Sequence, residues 1–165
     1  MKQFEPPDIH HLTAAEGWIE LGSPVEANAE LENIAPELRA HPAVLDLRWH
    51  IYAHLKKWDE CMFLADRVVV ADPTLVSGWI HRSFALHELK RTQEAFDLLF
   101  PAVELFPKAE LIRYNLACYC AQLGKIKEAR EWLEKAFALG DAKEMKLRAL
   151  DDPDLEPLWL TTGNG

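Results

Sequence analysis

Histidine and cysteine are the residues of this 165-residue chain best suited to chemistry, and their spacing decides which chemistry is open to them. The run WHIYAHL, residues 49–55, sets His50 and His54 four apart, which on a helix brings both imidazoles to one face and can present them to one metal ion. His81, His87 and Glu88 follow in WIHRSFALHEL, and His10 and His11 stand alone near the start. In YNLACYCAQLG, residues 114–124, Cys118 and Cys120 are separated only by Tyr119. Two steps along a helix turn about 200°, so on a helix these thiols can neither bridge nor share a metal. No phosphate-cradling glycine-rich loop, nucleophile elbow or paired CxxC motif occurs. Without a fixed multi-ligand motif the histidines read as solvated or hydrogen-bonded side chains. The expectation is no catalytic residue, no metal and no cofactor.

Composition narrows the class. With 49% hydrophobic and 27% charged residues, the chain has the make-up of an ordinary soluble protein with a real core. A formal charge of −9 argues against nonspecific binding to nucleic acid or anionic membrane, both of which need a basic surface. The acidity is uneven: residues 1–38 carry eight acids against the single base Lys2, and DDPDLE at 151–156 adds four more, read as a solvated end. Neither a signal-peptide core nor a run of about 18 apolar residues is present. Three cysteines without framework spacing fit a reducing compartment, so the expected location is the cytoplasm.

The elements that must carry these side chains follow from a period of 34 residues. Glu26-Ala27, Glu60-Cys61, Glu94-Ala95 and Glu128-Ala129 repeat a Glu followed by a small residue. Four apolar or small columns keep the same step: Leu21, Leu55, Leu89, Leu123; Leu31, Ala65, Leu99, Leu133; Ile34, Val68, Ala102, Ala136; and Ala15, Trp49, Ser83, Ala117. Pro73 and Pro107 lie 34 apart as breakers. Each copy reads as helix, short break, helix. In the third, Trp79, Ser83, Leu86 and Leu89 share one helical face, and Ala95, Leu99 and Ala102 line the second helix.

With these residues in place the chain resembles the tetratricopeptide repeat family over about residues 8–141. Trp79, Ser83, Leu86, Ala95, Leu99, Ala102 and Pro107 fall on the family's pattern, and YNLACYCAQLGKIKEAREWLEKAFALG follows it along its length. The resemblance implies an all-α fold, an α-solenoid of about four helix hairpins (8–41, 42–75, 76–109 and 110–141) with a C-terminal capping helix and end segment at 142–160. Asp141 and Glu144 have the spacing of a capping box, Met145 and Leu150 supply an apolar side, Pro153 stops the helix, and Leu155, Leu158 and Trp159 fold back. Arg48 and Arg82 depart from the pattern by replacing leucine, and they read either as a charged seam in the middle of the stack or as side chains that snorkel to solvent or to an acid such as Asp46.

The resemblance also implies a use for the histidines. First helices of successive copies line a concave groove that accepts a protein segment. Here the groove would be lined by Glu16 and Glu20, then Asp46, His50 and His54, then Ile80, His81, Phe84, His87 and Glu88, and then Tyr114, Asn115, Cys118 and Gln122. Phe84 and Tyr114 would be its anchors, and the acidic first copy would favour a basic stretch in the partner. Of the residues by which family members hold carboxylate termini only Asn115 and Arg113 are visible, so no carboxylate clamp is expected. The expected function is a non-catalytic protein-interaction scaffold. A metal- or small-molecule-binding protein using the histidines, with Glu88 in the column of His54 as a third ligand, is one alternative, and self-assembly into homo-oligomers is another. In the same register Trp18, Tyr52, Leu86 and Cys120 share a core column, while Cys118 shares the groove column of Glu16, His50 and Phe84 and should be the more accessible thiol.

Overall fold

The computed structural model describes residues 3–160, and they are helical almost throughout, with no strand among them. First helices run Asp8–Glu20 (α1), Pro42–His54 (α3), Val76–Glu88 (α5) and Glu110–Gln122 (α8), each starting 34 residues after the last. Second helices run Pro24–Glu32 (α2), Trp58–Ala71 (α4), Thr92–Leu99 (α6) and Ile126–Leu139 (α9), again 34 apart at their starts. Pro101 interrupts the third of these, because it offers no amide hydrogen, and a short helix Ala102–Leu105 (α7) completes it. The residues fall into two compact units that divide after Arg82, inside α5.

Every first helix ends in the same way. Gly22, Lys56, Lys90 and Gly124, one per copy, adopt positive φ (73°, 55°, 64° and 77°). The next amide then reaches back to a carbonyl five residues earlier: Ser23 to Trp18, Lys57 to Tyr52, Arg91 to Leu86 and Lys125 to Cys120, at 2.8–2.9 Å. This left-handed closure satisfies carbonyls that a helix end leaves open. Glycine adopts it freely, whereas a lysine carries a Cβ that crowds the carbonyl. Lys56→Gly and Lys90→Gly should therefore each stabilise the fold by about 0.5–1 kcal/mol, read as a rise in the denaturant midpoint at unchanged slope.

In the first unit, Leu12, Ala15, Ala27, Leu31, Ile34, Leu38, Val44 and Ile51 form a buried cluster, and Leu45, Leu64 and Val68 form another with Tyr52 and Leu75 against them. Gly78 is packed so closely that a Cβ there would stand 3.0 Å from Val68 and 3.1 Å from Val69. Arg48 donates to Glu32 (2.8 Å) and Asn28 (3.2 Å), and Arg82 donates to Asp66 (2.9 Å) while lying over the Trp79 ring. The ion pairs are 34 residues apart at both ends. Their acids are on the preceding second helix, which corrects the expectation of Asp46 as partner. Arg48 holds the Glu32 carboxyl below its ordinary range.

In the second unit, α8 and α9 form the most heavily buried hairpin, with every residue from Ile112 to Ala121 inside. Asp141 caps helix α10, Ala142–Asp151, by accepting from the amides of Lys143 (3.0 Å) and Glu144 (3.1 Å). Ala149 is the buried residue of α10, whereas Leu150, expected on its apolar side, is 61% exposed. A 3-10 turn at Pro153–Leu155 and a last short helix, Glu156–Leu160 (α11), return the chain onto α8 and α9, with Leu155 and Leu158 fully buried and Trp159 partly exposed.

Three of the four columns named from the sequence are buried at every position. The leucine column at 21, 55, 89 and 123 is not, since it sits at the helix ends, and Leu21 is 75% exposed. Trp18 is likewise 37% exposed, while Leu86 and Cys120 in its column are buried.

Candidate functional site

In the first unit the side chains of α3 and the start of α5 converge. His81 Nδ1 lies 3.0 Å from Asp46 Oδ1, and His50 Nε2 lies 3.9 Å from Asp46 Oδ2. Trp49 fixes both rings: His81 stacks on it at 4.0 Å with planes 8° apart, and His50 meets it edge-on at 5.2 Å. Burial opposes ionisation of Asp46, but hydrogen bonding and charge from His81, then the nearness of His50, and a hydrogen bond from Ser77 outweigh it and hold the carboxyl below its usual range. His50 is pushed below the ordinary imidazole value, chiefly by burial and then by His81. At neutral pH this His50 is uncharged and Asp46 is an anion. His54 is exposed and outside the cluster, so the pairing of His50 with His54 gives way to a pairing of His50 with Asp46 and His81. Ile80 is half-buried, and Glu16 and Glu20 on α1 are exposed.

In the second unit the predicted positions meet the chain's own C-terminal segment. Tyr114 donates to Asp152 Oδ2 at 2.8 Å, the Cys118 thiol lies 3.8 Å from the same oxygen, and Gln122 donates to the Asp154 carbonyl at 2.9 Å. His87 joins Asp154 Oδ2 at 3.1 Å and Thr92 Oγ1 at 3.0 Å. Asp152 Oδ1 also accepts from the Asp154 amide at 3.0 Å, so one aspartate shapes the turn and ties it to α8. Tyr114, Cys118 and His87 are buried beside it and Asn115 is buried as well, while Phe84 is 38% exposed and Glu88 half-buried.

Cys118, the thiol expected to be accessible, is only 4% exposed. Its position on the first-helix face is as expected; what covers that face is the segment 152–158. Burial and the carboxylates of Asp152 and Asp154 push its pKa far up, so it stays a protonated thiol. Cys61 and Cys120 are buried too and pushed to about 12 and about 11, mainly by burial. Sequence reasoning misses Asp152 and Asp154 because DDPDLE reads as a solvated acidic end. The signal available is Asp-Pro-Asp, a turn-former whose first carboxylate can bond its own backbone two residues on.

No protein-family model matches the chain, and no curated protein matches it. Solved structures do. TTC0263, a thermophilic tetratricopeptide-repeat protein of Thermus thermophilus, superposes with a TM-score of 0.77 at 20% identity, covering 94% of this chain and 83% of that one. MamA from Desulfovibrio magneticus RS-1, residues 41 to its end, gives 0.71 at 17% identity, covering 96% and 94%. Yeast Tom70 gives 0.69 at 17% identity, covering 92% of this chain and 36% of that one. At such identities the likeness speaks to fold. Together with the 34-residue period and the repeated helix closures, it makes this chain a tetratricopeptide-type helical repeat protein by fold.

Proposed function

We propose that the chain is a non-catalytic scaffold that binds a segment of another protein on its first-helix faces. The 34-residue copies (8–41, 42–75, 76–109 and 110–141) serve as units of recognition, and 142–160 serves as the end cap. The observation that carries this reading is the way α8 holds the chain's own turn at residues 152–155. A tyrosine and a glutamine project from one face and grip a carboxylate and a main-chain carbonyl, the kind of contact that holds an extended peptide.

Glu16 and Glu20 on α1 occupy equivalent faces without such a cover, being exposed. Their charge favours a segment with a basic stretch, and so selects by electrostatic complementarity. A selection of displayed twelve-residue peptides against the intact protein tests this. Lys- and Arg-containing peptides should enrich, and the enrichment should disappear for the Glu16→Lys, Glu20→Lys variant and weaken in high salt. Enrichment indifferent to both charge reversal and salt would defeat the basic-segment reading, and no enrichment at all would defeat the scaffold reading.

A further inference from the structure

We infer that Asp46, His50 and His81 form a binding site for a first-row divalent metal ion such as zinc, a role beyond the peptide binding proposed for the first-helix faces. One ligand atom from each of the three lies within 4.8 Å of the other two. Two imidazoles and one carboxylate are the donor set of three-ligand zinc sites, which leave a position for water or an incoming group.

The distances fit an ion between them. Zinc bonds of about 2.0–2.2 Å at tetrahedral angles put neighbouring ligand atoms about 3.3 Å apart; His81 Nδ1 stands 3.0 Å from one Asp46 oxygen and His50 Nε2 3.9 Å from the other. Asp46 Oδ1 is buried and accepts no aligned hydrogen bond among the described residues, although His81 Nδ1 is 3.0 Å away. An ion between them would replace this close contact, with the carboxylate oxygen and the ring nitrogen both donating to it. Trp49 stacks on one imidazole and abuts the other, which fixes the ligand rings, and Ser77 bonds the carboxylate, as the partners around metal ligands do. The His50 side chain is 41% exposed and that of Asp46 32%, which gives an ion a way in and leaves one side open.

The alternative is a closed hydrogen-bonded histidine–aspartate cluster that takes no ion. Tag-free protein treated with a chelator and dialysed should bind one equivalent of zinc in a calorimetric titration. Cobalt should develop the visible absorption of a four- or five-coordinate ion. Asp46→Asn and His81→Gln should each weaken zinc binding at least about tenfold, and His54→Gln, one turn from His50 and outside the cluster, should leave it unchanged. Should the variants lose their fold, ring-nitrogen NMR of the unsubstituted protein decides: one equivalent of zinc should shift His50 and His81 and leave His54 and His87 in place. Absence of binding, affinity that survives His81→Gln in a folded variant, or zinc-induced shifts confined to other histidines would overturn the assignment.

Discussion

Leu155→Ala should cost about 3 kcal/mol of stability and convert Cys118 from a protected into a reactive thiol. Leu155 is fully buried where the C-terminal turn meets α8, so truncation leaves a cavity that the turn cannot close. The effect concentrates on one segment, which Tyr114, Gln122 and His87 tie down through Asp152 and Asp154. If the lost free energy falls on local opening, the population with Cys118 uncovered rises about a hundredfold. Alkylation under native conditions should follow that population at Cys118, while Cys120 and Cys61, buried in packing columns, keep their slow rates. Equal labelling of Cys118 in the two proteins, or an unchanged unfolding midpoint, would show that the turn is not what protects this thiol.

Ala95→Leu should destabilise by about 3 kcal/mol, whereas Cys61→Ala, one copy earlier in the same column, should cost less than about 1.5 kcal/mol. Ala27, Cys61, Ala95 and Ala129 are all fully buried at 34-residue intervals. A larger side chain in such a column must push helices apart, since a packed interior has no slack to take the added carbons. Exchange of sulfur for a methyl hydrogen changes volume little and breaks only the weak contact from the Cys61 thiol to the Trp49 carbonyl at 3.5 Å. Urea unfolding of the two variants compares them directly. Similar losses in both would mean that the column is not the close contact the period implies.

The hairpins were legible in the sequence because a residue's burial is fixed by its place in the 34-residue step: Leu31, Ile34, Ala95, Leu99 and Ala136 are buried as their columns require. Two kinds of position were not legible. One is Trp18, which keeps the register of a core column and is nevertheless 37% exposed. The other is contact from outside the repeat. Cys118 and Tyr114 hold positions expected to face a groove, yet they are covered by a turn whose sequence, DPDL, repeats nowhere else. The metal-type cluster fell between these cases. His50 stands out in the sequence, but helical spacing points to a partner at i+4, whereas Asp46 sits one turn before it and His81 comes from the next first helix, stacked on Trp49. Such spacing finds neighbours on one helix; it is silent about which ring a tryptophan will hold against another.

The C-terminal turn also sets an order of events in folding. Hairpins such as α3 with α4 close over short stretches of chain, and contacts of that kind form early because little chain entropy is lost in making them. The bond from His87 to Asp154 spans 67 residues, and those from Tyr114 and Gln122 span 38 and 32. The turn can settle only on an α8 surface that already exists, so it closes after α8 has formed. Until it does, Tyr114 and Cys118 face water, and the same helix face is open to any segment that arrives first.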